Sequence, residues 1–188
     1  MLSELVIKNR SYRSFDMEKR IGDERLKKYV DMARITASTA NLQAIKYRIV
    51  WTEDECEKTL ACTKWAGYFK DIQLPPTGKE PTGYVIICCD TEITANVTGF
   101  YKDTGIAAQT ILLAAAEEDF GGCMIGSFDE TGLREVLNLP ESVKVTLVVA
   151  LGKPDENVEI VPCDGDVKYY RENGIHYVPK RSLEEVLI

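Results

Sequence analysis

The sequence predicts a single domain that contains both α-helices and a buried β-sheet. The chain has 188 residues, of which 45% are hydrophobic, enough for one core, and no shift in composition divides it. Residues 99–119 predict a long helix that is apolar on nearly every side. The apolar runs at residues 84–89 and 143–151 predict strands. The first of these should be central in the sheet, because a strand without polar alternation is buried on both faces.

The rest of the chain is expected to fold around the helix at residues 99–119. Between Ile106 and Ala116 only Gln109 and Thr110 are polar, so this helix would face a core or another chain rather than water. Flanking acidic residues leave the apolar run too short to span a bilayer. Its small residues permit close packing against a second copy. A homodimer is therefore one hypothesis, and a core helix of a monomer is the alternative.

Charge and cysteine usage exclude several classes of function. The net charge of -7 argues against nucleic-acid binding, which requires a broad basic face. The six cysteines form no CxxC pair and the chain has one histidine, so a structural zinc site has few ligands to draw on. Because no signal peptide is recognisable and several cysteines lie in apolar surroundings, we expect a reduced, cytoplasmic protein without disulfides or membrane attachment.

Capping residues and apolar spacing predict the other elements. Helices are expected at residues 3–8, 23–37, 53–63 and 129–137, and a strand at residues 47–52. Gly121 and Gly122 are expected to end the long helix, and residues 123–126 to be extended. The tail is expected to be irregular until a terminal helix at residues 182–187.

Two arginines near the amino end are candidates for an anion site. Arg10 and Arg13 lie three residues apart, with the hydroxyls of Ser11 and Tyr12 between them. Guanidinium groups can hold a phosphate by bidentate hydrogen bonds, although a solvated basic turn is the alternative. The two ends of the chain could meet in space, since a second basic group lies near the carboxyl end and comprises Lys168, Arg171, Lys180 and Arg181.

Two other segments carry groups that could reach a ligand. Residues 38–43 are short and polar, so they could offer hydroxyl and amide groups beyond the loop itself. An ordinary helix-exit loop is the competing interpretation. Residues 123–126 end in Gly126, which would let a flat ligand approach the backbone amide, although a plain strand end is equally compatible with this pattern.

Five segments together resemble the FMN-dependent nitroreductase family, and their similarity runs nearly end to end. They are Arg10-Ser11-Tyr12-Arg13, residues 38–43, Asp103-Thr104-Gly105 with Gln109, residues 121–126, and residues 178–186. The resemblance implies a nitroreductase-like α+β fold in which helices flank a central, mostly antiparallel sheet. It also implies an intertwined homodimer that places one FMN at each end of the shared interface.

The resemblance further implies roles for individual residues. Arg10, Ser11 and Arg13 would hold the FMN phosphate and part of the ring, joined by Arg181 and Lys180. Ser38, Asn41 and Gln43 would come from the second subunit, and Ile125 and Gly126 would line the ring near its reactive nitrogen. This sequence departs from the family's pattern at two places. It has Ala44-Ile45 where Pro-Trp is common in the family, and Gly121-Gly122-Cys123 where Gly-Leu-Gly is common. These departures leave the shape of the substrate pocket open.

The activity that the resemblance implies is a ping-pong cycle. NAD(P)H would reduce FMN, and a nitroaromatic, a quinone or another small acceptor would then take the electrons. No side chain need act as acid or base, because the flavin carries the chemistry, and His176 is expected to be a tail residue rather than a catalyst. The alternatives are specialised flavin chemistry, such as dehalogenation, flavin fragmentation or enoyl reduction, and a flavin-binding dimer without turnover.

Overall fold

The computed structural model describes residues 1–69 and 72–188 and has helices on both faces of a central sheet. The helices are α1 (Leu2–Lys8), α2 (Asp23–Arg34), α3 (Glu53–Ala61), α4 (Tyr101–Glu117), α5 (Glu130–Leu137) and α6 (Leu183–Val186). The strands are β1 (Phe15–Asp16), β2 (Ile45–Val50), β3 (Gly83–Asp90), β4 (Gly121–Ile125), β5 (Val143–Pro154), β6 (Asn157–Pro162), β7 (Tyr170–Glu172) and β8 (Ile175–Lys180).

The central sheet is antiparallel throughout the part of the chain that the structure describes. Its strands run in the order β1-β5-β3-β2, and β4 also pairs with β5. Strand β3 is buried along all but its last residue, as its unbroken apolar sequence predicted. The predicted α+β fold with a mostly antiparallel sheet is confirmed.

Helix α4 supplies much of the core. Together with α2 it covers one face of the sheet, with Ala108 and Ile111 packed among residues of β3 and β5. The other face is covered by α3 and α5. One side of α4 nevertheless stays open, since Gly105, Ile106 and Gln109 are exposed. The prediction of a central apolar helix is confirmed, and a partly apolar stripe on it remains exposed.

The predicted glycine cap of α4 is wrong. The helix ends at Glu117, and Asp119 takes the left-handed conformation, with φ 60°, which commonly ends a helix. Gly121 and Gly122 instead begin β4. A Cβ on Gly121 would lie 2.6 Å from the Tyr12 ring, and one on Gly122 would overlap the carbonyl oxygen of Ala150. These glycines are therefore required by close packing rather than by a helix end.

The expectation of an irregular tail is also wrong. Residues 157–180 contain a second sheet in the order β6-β8-β7, in which β6 and β8 are parallel and β7 and β8 antiparallel. Asn173 and Gly174 connect β7 to β8 with φ 50° and 79°. Positive φ at both positions is typical of the tight turn that joins two antiparallel strands.

Other element boundaries shift by a few residues. The predicted strand at 47–52 occupies Ile45–Val50, and α2 ends at Arg34 instead of residue 37. The sequence predicts helix caps at Ser3, Asp23 and Asp129, and only the cap at Asp129 is found, because α1 begins from Met1 and α2 from Gly22. The terminal helix predicted at residues 182–187 occupies Leu183–Val186, with Ser182 as its cap. Within the described ranges, no helix has both the length and the apolar character needed to cross a bilayer.

Candidate functional site

Strand β4 brings two of the predicted ligand-binding segments onto one line. Ser11 forms a parallel bridge with Gly122, and the Tyr12 N–H donates to the Gly122 carbonyl at 3.0 Å. Ile125 and Gly126 lie at the far end of the same strand, about 13 Å away at 3.3 Å per residue. The arrangement suits an elongated ligand with an anion at one end and a flat group at the other.

Arg10 has a buried donor without a partner. Its Nη2 donates to the Val6 carbonyl at 2.6 Å, while its Nε is buried and makes no hydrogen bond within the described residues. Burial also lowers the pKa of Arg10 from its ordinary value. A buried N–H of this kind costs free energy unless something accepts from it, and an anionic oxygen beside Ser11 would do so.

Arg13 is held in place by residues of the tail. Its backbone N–H donates to Glu156, a carboxylate that also pairs with Arg171 and whose side chain is only 7% exposed. The Arg13 guanidinium donates to the Ser11 carbonyl at 3.1 Å and lies 5.2 Å from the centre of the Tyr169 ring. Glu156 and Tyr169 thus position Arg13, and neither was predicted as a site residue.

The two basic ends meet only in part. Arg171 and Arg13 both contact Glu156, so at this point the two ends of the chain meet as the sequence suggested. Lys180 and Arg181 are exposed, and Lys180 lines a different groove with residues 160–163. Along β8, Lys180 is four residues beyond His176, about 13 Å at the usual rise per residue. A single copy of the chain therefore does not gather all the predicted phosphate ligands.

His176 is buried near Arg13 and Arg171. It is 2% exposed, its ring packs edge-on against Phe69 and Tyr169, and neither ring nitrogen has a hydrogen-bond partner among the described residues. Burial, together with the charges of Arg13 and Arg171, lowers the pKa of His176 to about 4. The ring is neutral at pH 7 and belongs to the packing of the tail, as the sequence indicated.

Protonation of His176 is expected to destabilise the protein in acid. The pKa of His176 falls from 6.5 to about 4 on folding, so the folded chain binds fewer protons between these values and loses stability as the pH falls through them. The loss between pH 7.5 and pH 5 is about 2 kcal/mol. Urea unfolding of the wild type and of His176→Phe, which keeps an aromatic ring, should show this difference in pH dependence. If the free energy of unfolding fell equally with pH in the two proteins, the expectation would be contradicted.

The loop at residues 38–43 lies at the other end of α4. Ser38 and Thr39 contact Asp103 in the first turn of the helix, whereas the Arg10–Arg13 segment pairs with Gly122, beyond the last turn. Asp103 and Glu117 are 14 positions apart, which corresponds to about 21 Å along the helix. The loop borders a cavity of about 270 Å³ between α2, β2 and α4, and the side chains of Asn41 and Gln43 are exposed.

A model of the nitroreductase family matches residues 94–153 of the chain. The match covers α4, β4, α5 and most of β5, including the strand that aligns the candidate site. The NADPH-flavin oxidoreductase of Vibrio harveyi is 27% identical over 173 residues, which are 85% of this chain and 68% of that protein. Over these residues the chain is similar to proteins of the nitroreductase family.

Solved structures share the fold of this chain. A nitroreductase family protein from Streptococcus pneumoniae superposes with a TM-score of 0.71 at 17% identity, over 100% of this chain and 99% of the other. An FMN-dependent nitroreductase from Clostridium difficile gives a TM-score of 0.65 at 23% identity, over 81% and 87% of the two chains. At these identities the likeness establishes the fold alone.

Proposed function

We propose that this chain is an NAD(P)H-dependent oxidoreductase that binds FMN and acts as a homodimer. The observation that carries the proposal is the pairing of Ser11 with Gly122, which sets the two arginines and the Ile125–Gly126 segment along one strand. The names of the Vibrio harveyi and Clostridium difficile proteins, a flavin oxidoreductase and an FMN-dependent nitroreductase, support the same cofactor.

The residues present fit a phosphorylated planar cofactor. Arg10 offers an unpartnered buried N–H, and the Ser11 hydroxyl and the Arg13 guanidinium lie beside it and can donate further hydrogen bonds to an anion. At the other end of β4, Gly126 is exposed, and a Cβ built on it would meet nothing within 4 Å among the described residues. That space permits a flat ring to lie against the backbone.

Bound FMN would supply the redox chemistry, a ping-pong transfer from NAD(P)H to a small acceptor such as a nitroaromatic or a quinone. The chain's own contribution is to bind and orient. A donor near the pyrimidine edge of the ring, such as Gln43, would stabilise the negative charge that grows there during reduction.

A second copy of the chain would complete the site. The loop at residues 38–43 lies about 21 Å along α4 from the arginines, and Lys180 points into a separate groove. The open stripe of α4, Gly105, Ile106 and Gln109, is small and partly apolar. Packing this stripe against another copy would bring Ser38, Asn41 and Gln43 of one subunit to the β4 strand of the other. A phosphate role for Lys180 and Arg181 would likewise require the second copy.

Ile106→Glu is expected to break the dimer. Ile106 is 40% exposed on the open stripe, and a carboxylate buried there without a partner would oppose association. The matched control is Ile93→Glu, since Ile93 has the same 40% exposure but lies in the turn that follows β3 rather than on the open stripe. Sedimentation of each protein should give monomers for the first variant and dimers for the second. Dimers of unchanged stability in both would argue against this interface.

Anaerobic addition of NADH or NADPH to the FMN-loaded protein tests the proposed activity. We expect the visible flavin absorbance to bleach, and to return when a nitroaromatic or a quinone is added. Bound FMN that neither nucleotide reduces would favour the dimer without turnover. Reduced protein that passes electrons to no nitro compound or quinone would favour a specialised flavin reaction instead.

A further inference from the structure

Asp103 is a buried acid in the first turn of α4. It is 5% exposed, and all of its hydrogen-bond donors belong to Ser38 and Thr39 among the residues that the structure describes. One carboxylate oxygen accepts from the Ser38 hydroxyl at 2.9 Å and from the Thr39 N–H at 2.8 Å. The other accepts from the Thr39 hydroxyl at 2.6 Å.

These hydrogen bonds extend across the whole loop at residues 38–43. The Ser38 hydroxyl donates to Asp103 and also accepts from the Gln43 N–H at 3.0 Å. A single chain of contacts thus runs from α4 through the start of the loop to its end. Gln43 is thereby linked to Asp103 through the Ser38 hydroxyl.

The loop backbone needs such support because it is strained. Ala40, Asn41 and Gln43 have φ angles of 49°, 54° and 53°, in the left-handed region that residues with a Cβ disfavour. Strained conformations of this kind persist only where the surrounding structure determines them, and they concentrate at functional sites. Without the carboxylate, the loop would lose the contacts that oppose its relaxation.

We infer that Asp103 is a positioning residue, whose carboxylate holds the strained loop so that Asn41 and Gln43 present their amides to the cofactor. This inference rests on the proposed function, in which the loop contacts FMN. Burial raises the pKa of Asp103, but hydrogen bonds from Thr39 and Ser38 lower it by more, so that the net pKa lies below its ordinary value. The group is therefore charged at neutral pH and accepts all three hydrogen bonds.

Two substitutions separate the geometry of Asp103 from its charge. Asp103→Ala removes every acceptor. Asp103→Asn keeps the shape, since its carbonyl oxygen can accept from Ser38 and the Thr39 N–H while its amide donates to the Thr39 hydroxyl. We expect the alanine variant to raise the FMN dissociation constant about tenfold or more, and the asparagine variant to stay within about threefold of the wild type.

Glu118→Ala is the matched control. Glu118 follows the same helix at its opposite end and accepts from Arg25 at 3.0 Å and from the Tyr29 hydroxyl at 3.2 Å, with Lys28 as a third partner. Its removal should lower the melting temperature as the loss of Asp103 does, yet leave FMN affinity unchanged. Equal weakening of FMN binding in both alanine variants would reduce the effect of Asp103 to general destabilisation and overturn the inference.

Hydrogen exchange in the flavin-free protein gives a second measurement. The Gln43 amide should exchange slowly in the wild type and in Asp103→Asn, and faster in Asp103→Ala. If Asp103→Ala does not fold, Thr39→Val removes one of the three hydrogen bonds and should weaken FMN binding about threefold. If the variant that folds, Asp103→Ala or Thr39→Val, binds FMN as tightly as the wild type, this inference is overturned while the proposed function stands. A wild type that binds no FMN would overturn the proposed function and this inference together.

Discussion

Gly122→Ala is expected to unfold the protein or to lower its free energy of unfolding by about 3 kcal/mol or more. The added Cβ would overlap the carbonyl oxygen of Ala150, which belongs to β5 in the middle of the sheet and is fully buried. Because the obstacle is backbone rather than the tip of a flexible side chain, relief requires β4 and β5 to separate. The same movement would displace Ser11 and with it the candidate anion site.

Urea unfolding measures this effect, and Gly126→Ala is its control. Gly126 directly follows β4, but a Cβ there would meet nothing within 4 Å of the described atoms. The control should therefore unfold at nearly the wild-type urea concentration. A wild-type midpoint for Gly122→Ala would show that β4 does not pack against β5 as closely as the structure indicates.

Arg13→Ala is expected to weaken FMN binding by about 1.5–3 kcal/mol, or roughly 10- to 150-fold, the range for a hydrogen bond to a charged group. Arg13 follows Ser11 on the segment aligned by Gly122, and the Glu156 carboxylate fixes its backbone. Removal of its side chain takes away donors to the phosphate without changing the strand. Quenching of flavin fluorescence gives the dissociation constant of each variant.

Two further variants identify the cause of the loss. Arg20→Ala removes the same charge from an exposed position that contacts the Trp51 carbonyl, and it should bind FMN like the wild type. Arg13→Lys keeps the charge but not the planar fork of donors, so its affinity should fall between those of the wild type and the alanine variant. Equal affinity in Arg13→Ala and the wild type would remove Arg13 from the proposed site.

The elements that the sequence predicts well are those with a strong local pattern. Strand β3 is an unbroken apolar run, and α4 is apolar over three turns, so both can be predicted without tertiary information. The tail is different. Its strands are short and partly exposed, and β6 pairs with β8 across more than ten intervening residues, which no local pattern reveals. Only Asn173-Gly174 offered a recognisable hairpin signal.

The candidate site is predictable to a similar degree. Residue types marked the arginines and the loop at residues 38–43 as possible ligand contacts, and the family resemblance assigned them roles. The bridge from Ser11 to Gly122 is a long-range pairing that the sequence does not show. The sequence assigns Asp103 no role beyond the Asp103-Thr104-Gly105 motif, because its contacts with Ser38 and Thr39 join residues more than sixty positions apart. Glu156 carried no signal either, because it lies among other acidic residues.

Titration of the flavin-free protein with FMN and, in parallel, with riboflavin tests the central claim most directly. The claim is that the arginines beside β4 hold the phosphate while the end of the strand holds the ring. We predict saturable binding of one FMN per chain, with riboflavin, which lacks the phosphate, bound about tenfold more weakly or worse. Equal affinity for the two flavins, or no binding of either, would contradict the account.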